Sequence, residues 1–186
     1  MAQWDKRTLK LAQPHGWHAR PGFKIFVADR GAVRFDFPED WLVIPEESGT
    51  IKFHDRPPPD DDCTLAMSVM RLPPGDWSGL KLSTLIEQVV LGDERPITGR
   101  GPILPGNRTD LDLAWTEVEF EDATQGRRKA RSRICLARAE NIQPLLTFDF
   151  WDDDAARFGP AWDEILRSLR VAEPILDPTL GQPNRG

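Results

Sequence analysis

Three histidines and a run of aspartates are the residues best suited to chemistry in this chain. His15 and His18 form a His-x-x-His pair, and His54 is followed by Asp55 and then by Asp60, Asp61 and Asp62. Imidazoles and carboxylates hold zinc or manganese, so one reading is a metal-assisted hydrolase using His15, His18, His54 and the Asp60 to Asp62 loop. A metal centre needs three or more ligands converging inside a supporting shell. His15 and His18 stand among Pro14, Gly16 and Pro21, which suits a loop better than a helix that would align them. Three consecutive aspartates also lack the alternating ligands and the glycine of a calcium loop. A solvated surface is the preferred reading of both groups, with no metal site and no cofactor expected.

Nucleophiles are no better placed. There is no Gly-x-Ser-x-Gly, and Cys135 lies among apolar neighbours in a strand-like stretch, where burial raises a thiol pKa. Gly99-Arg100-Gly101 through Gly106-Asn107-Arg108 resembles a phosphate loop only in its glycines. It lacks the Gly-Lys-Ser/Thr ending and a helix to follow. The basic run Arg127, Arg128, Lys129, Arg131, Arg133 would suit an anionic partner. However, Glu117, Glu119 and Glu121 recur at period two on the strand before it. A turn near Gln125-Gly126 would set Glu121 opposite Arg131 and Glu119 opposite Arg133. Such cross-strand pairs stabilise a sheet by about 0.2–1 kcal/mol each and use up the charge a phosphate needs.

The segment from Gly92 to Asp110 is rich in Gly, Pro and Arg and reads as a long surface loop. Trp77 lies just upstream of it, and Arg95, Arg100 and Arg108 lie within it. Loops on rigid sheets often carry binding, and Trp and Arg are favoured at protein contact hot spots. These four residues are the expected partner-binding set, with no catalytic residue assigned.

The elements that must hold these residues follow from periodicity. Phe23 to Ala28 and Ala32 to Phe37 alternate about a turn at Asp29-Arg30-Gly31, a hairpin pattern. Pro38 ends the second strand. Short strands follow at Trp41 to Ile44 and Ile51 to His54, then a stiff loop at Pro57-Pro58-Pro59, and a strand at Thr64 to Leu72. Leu82, Leu85, Ile86, Val89 and Val90 form one helical stripe that Gly92 terminates. Three strands are expected at Leu111 to Glu121, Lys129 to Ala139 and Gln143 to Trp151. The last carries apolar residues on both faces and so needs cover above and below. Phe158, Trp162, Ile165, Leu166 and Leu169 make a second helical stripe, with Asp152 to Asp154 at its favourable N-terminal end. The tail after Val171 has no periodicity and reads as extended or frayed.

With 186 residues the chain fits one domain with a real core. Its 24 basic and 30 acidic residues leave a net charge of −6, which repels phosphate backbones and argues against a nucleic-acid partner. No stretch has the length of a membrane-spanning helix, and the polar N-terminus does not resemble a signal peptide. A cytoplasmic chain with Cys63 and Cys135 reduced is the expectation.

Ala32-Val33-Arg34-Phe35-Asp36-Phe37-Pro38-Glu39-Asp40-Trp41, an aromatic strand followed by Pro and then Trp, resembles the opening of PsbP-like domains. Phe148-Asp149-Phe150-Trp151 through Trp162, Ile165, Leu166, Ser168, Leu169 and Arg170 is similar to their closing strand and helix. The resemblance implies an α+β fold, a three-layer α/β/α sandwich around a central antiparallel sheet. It also implies a non-catalytic protein-binding or adaptor role, since members include photosystem extrinsic subunits, a nuclear-import factor and bacterial secretion chaperones. The expected organisation is an N-terminal extension at 1–22, one domain at 23–172 and a C-terminal tail at 173–186.

Overall fold

A computed structural model describes residues 5–106 and 108–181. Its backbone is an eight-stranded antiparallel sheet with a smaller sheet stacked on one side. The large sheet contains β3 (Leu42–Pro45), β4 (Ile51–His54), β5 (Cys63–Arg71), β6 (Ile97–Arg100), β7 (Leu104–Pro105), β8 (Asp112–Asp122), β9 (Arg128–Arg138) and β10 (Ile142–Trp151). The spatial order is β3-β4-β5-β10-β9-β8-β6, with β7 also paired to β8. The smaller sheet joins the hairpin β1 (Phe23–Ala28) and β2 (Val33–Pro38) to β11 (Arg170–Val171), in the order β1-β2-β11.

Alternation along the long strands divides the interior into two cores. Leu65, Met67, Cys135, Leu146, Phe148 and Phe150 face the small sheet and α2 (Ala155–Ser168). Residues of opposite parity, Ala114, Val118, Ile134 and Leu136, lie under α1 (Leu82–Leu91) through Leu82, Ile86 and Val90. Helices on opposite faces of one antiparallel sheet give the expected α/β/α sandwich. The larger core is aromatic: Trp162 stacks on Phe148 with ring centroids 5.9 Å apart, and Phe53 meets Phe26 and Phe35 at 5.0 and 5.3 Å. Such pairs add about 0.5–1.5 kcal/mol beyond the area they bury.

Three details depart from the sequence expectations. The Gly/Pro-rich segment after α1 is not simply a loop: β6 and β7 pair with β8 and form an edge of the sheet. Pro96, Pro102 and Pro105 fit this place, because an edge strand tolerates residues without an N–H. The β8–β9 register also sits two residues from the expected one. Asp122 pairs with Arg128 around a five-residue connection, Ala123 to Arg127, so Glu119 opposes Arg131 and Glu117 opposes Arg133. The connection is centred on Gln125, in a short 3-10 segment, and not on Gly126 as the expected pairs require.

Finally, the two end segments are docked on each other. Ala12 N donates to Thr179 O at 3.1 Å, Gly16 N to Leu180 O at 2.7 Å, and Trp17 Nε1 to Pro178 O at 2.7 Å. Trp17 is 8% exposed, and the left-handed Gly181 (φ +67°) packs so closely that any Cβ there would strike the indole. Trp17, a few backbone bonds, and the contacts of Lys6 with Val43 O and of Arg20 with Glu164 hold this strap, and none of these leaves a periodic signal.

Candidate functional site

The basic run on β9 is absorbed by the sheet. Arg131 Nη1 and Arg133 Nε bind the two oxygens of Glu117, each at 2.7 Å, and Arg131 also binds Asp152. Arg133 lies over the rings of Trp115 and Phe150, and Arg128 over Trp151. Burial pushes the Glu117 carboxyl upward, but the hydrogen bonds from Arg133 and Arg131 outweigh it and hold the group below its usual range. Pairing is the role the sequence suggested, in a shifted register.

The histidines do not converge. His54 Nδ1 lies 2.9 Å from Asp61 Oδ2, which also accepts from Thr64 Oγ1 at 2.8 Å, so this imidazole closes a local turn. His15 and His18 belong to the strap, and His18 borders a different pocket. Asp62 binds Arg157 at 2.9 Å, and Asp55 accepts from the backbone of Asp62 and Cys63. Among the described residues no three His, Cys, Asp or Glu side chains are grouped to hold a metal. The set His15, His18, His54 and Asp60 to Asp62 is therefore a correction: its members are spread over the strap and the β4–β5 connection.

The four expected partner-binding residues fall in separate places. Arg95 is clamped by Asp93, with bonds of 2.6 to 3.0 Å, and by Asp149 at 2.9 Å, and its guanidinium lies 4.1 Å from the Phe120 ring centre. Arg108 Nη1 donates to Leu166 O and Leu169 O at 3.1 and 2.6 Å, and its other side pairs with Asp110. It thus binds carbonyls that the end of α2 leaves open, where a cation also meets the negative end of the helix dipole. Trp77 is half-buried before α1, with Nε1 donating to Pro73 O at 2.9 Å. The Trp77 carbonyl accepts from Arg138 at 2.7 Å.

Arg100 differs from the other three. It is exposed, forms no ion pair among the described residues, and lines a cavity of about 390 Å³. The cavity lies between the C-terminal half of α1 and the β6 edge, with Ile86, Val90, Ile103 and Val118 as apolar walls beside exposed Leu91 and Glu87.

A second, polar cavity of about 210 Å³ lies where the strap crosses the small sheet. It is lined by Trp17 and His18 of the strap, by Ile25 of β1, by Arg34 and Asp36 of β2, and by Arg167 of α2 with Arg170 of β11 just beyond it. It escapes a reading by periodicity, because its residues come from four separated stretches. The available signal was the Arg34-Phe35-Asp36 alternation, whose charged members occupy the opposite face from the buried aromatics.

This architecture defines the class of protein. Similar folds occur in a Bacteroides thetaiotaomicron protein (TM-score 0.55, 14% identity, covering 82% of this chain and 49% of that one) and in LpqN of Mycobacterium tuberculosis, a protein involved in cell envelope biogenesis (0.53, 15%, 80% and 89%). The chain thus spans about half of the Bacteroides protein. Cyanobacterial PsbP (CyanoP) of Synechocystis sp. PCC 6803 matches with a TM-score of 0.50 at 10% identity over 84% of this chain and 96% of its own. At these identities the likeness is one of fold, and the fold is PsbP-like. Within that class the chain belongs to the Alr1449 family, whose model matches residues 24–175. It is 44% identical over 179 residues to the uncharacterized protein alr1449 of Nostoc sp. (strain PCC 7120), covering 96% of this chain and 93% of that protein.

Proposed function

We propose that this chain is a non-catalytic protein-binding domain whose contact surface is the groove between α1 and the β6 edge, with Arg100 as its charged anchor. The observation that carries this reading is an arginine without an ion pair among the described residues, on an apolar cavity beside a sheet edge. Strand β6 pairs with β8 on one side only, and an open edge is a template for an added strand. The fitting occupant is an extended peptide with an apolar side chain for the Ile86, Val90 and Val118 walls and a carboxylate for Arg100. Trp77, at the opposite end of α1, extends the surface, while Arg95 and Arg108 hold the flanks of the segment in place.

A displayed library of random peptides, selected on the folded protein, tests this. Selected peptides should combine an apolar residue with Asp or Glu, and Arg100→Glu or Leu91→Asp should weaken them by about tenfold or more, as for a contact hot spot. Failure to select any peptide, or equal binding by both variants, would remove the groove as the site.

A further inference from the structure

The polar cavity under the strap is distinct from that groove. Arg34 and Arg170 are direct cross-strand partners between β2 and β11. Like charges in that position destabilise a sheet, so their placement requires a compensating partner. What is present compensates only in part. Arg34 Nη2 donates to Glu173 at 3.1 Å, while Arg170 Nε stands 3.9 Å from the same residue. Arg170 Nη1 is spent on the carbonyls of Arg167 and Leu169. Nε and Nη1 of Arg34 and Nη2 of Arg170 have no hydrogen-bond partner among the described residues. Arg167 at the same cavity is already held by Glu164. Burial, and then Arg108, lower the Arg170 pKa from its ordinary value, with Glu173 and Asp110 opposing them and Arg34 adding a smaller push in the same direction.

Two further features shape the cavity. The Trp17 indole carries the Arg34 guanidinium 5.4 Å from its ring centre and fixes its orientation. Asp36 is 7% exposed, and its carboxylate accepts no hydrogen bond among the described residues, although its backbone N–H donates to Ser168 Oγ at 2.8 Å. The carboxylate lines the cavity and so can accept a donor from within it.

We infer that the Arg34–Arg170 pair, roofed by Trp17, binds the oxyanion group of a small metabolite that also offers a hydroxyl or ammonium donor to Asp36. Planar guanidinium forks match the oxygens of a phosphate or carboxylate, and the cavity is smaller than the 300–1,000 Å³ or so typical of drug-sized ligands. Separate arms of one experiment distinguish phosphate from carboxylate.

The test is thermal unfolding with glycerol 3-phosphate, lactate, inorganic phosphate or glycerol, each against sodium chloride at matched ionic strength. At least one anion should raise the melting temperature of the intact chain in a saturable manner, and an oxyanion with an adjacent hydroxyl should act at lower concentration than inorganic phosphate. Calorimetric titration with the best probe should show binding weakened by on the order of tenfold in Arg170→Gln, the loss of a charge-assisted hydrogen bond. Arg100→Glu, in the other cavity, should bind the probe normally, so this site can fail while the peptide groove stands. No shift beyond the salt control with any probe would overturn the inference. So would equal binding by wild type and Arg170→Gln, which would mark an adventitious ion only.

Discussion

Replacing Glu117 with alanine would test whether the basic run on β9 is structural. The carboxylate accepts one bond from Arg131 and one from Arg133, both at 2.7 Å, and its side chain is only 23% exposed. Arg131 keeps Asp152 after the substitution. Arg133, 14% exposed and lying over Trp115 and Phe150, loses its only carboxylate partner among the described residues. Two charge-assisted bonds, discounted for partial exposure, amount to about 2–3 kcal/mol, since an unpaired half-buried guanidinium remains. At about 2–4 °C per kcal/mol for a chain of this size, the melting temperature should fall by roughly 4–12 °C. Urea unfolding of Glu117→Ala, Arg133→Met and the double variant gives the coupling directly. The double variant should recover part of the loss, because it removes both members of the pair. A loss below about 0.5 kcal/mol, or strict additivity, would show that the pair contributes little and that the charges are available for a ligand.

Other expectations follow from the same structure. Since the folded Glu117 pKa lies below its unfolded value, its contribution is present above the unfolded pKa and is lost as pH falls through the folded one; acid titration of Glu117→Ala should show a shallower loss than wild type. Burial and then Glu164 raise the Asp36 pKa, against the attraction of Arg167, Arg34 and Arg170, so Asp36→Asn should be more stable than wild type at neutral pH and lose that advantage at low pH, as chemical unfolding would read. Gly31, at φ +101°, would drive a Cβ into the Glu173 carbonyl, so Gly31→Ala should cost more than about 1 kcal/mol in the same assay. Burial raises both thiol pKa values, so Cys63 and Cys135 should resist a thiol reagent until denaturant is added; fast labelling of the folded chain would contradict their placement.

What the sequence disclosed and what it concealed have physical reasons. Strands β1, β2, β4 and β10 and helices α1 and α2 bury one stripe or alternate across one plane, so apolar spacing located them to within a residue or two. The edge strands β6 and β7 carry glycine and proline, which an edge accepts but which read as loop. The β8–β9 register turned on the centre of one five-residue connection, and spacing alone does not determine it. Arg95 and Arg108 looked like free loop cations; each has a carboxylate two residues away, Asp93 and Asp110, while their other partners, Asp149 and the α2 carbonyls, are more than fifty residues away in the chain. The cavity at Arg34 and Arg170 depends on β11 pairing with β2, a contact that no local pattern announces.

The most direct measurement of the binding surface is an amide chemical-shift titration of the labelled chain with a peptide selected for affinity. Perturbations should concentrate on residues 86–91 and 97–104, with Arg100 and Ile103 among the largest. Perturbations confined to the strap, to β3–β5 or to the surroundings of Trp77 would place the contact elsewhere and contradict the assignment of the α1–β6 groove.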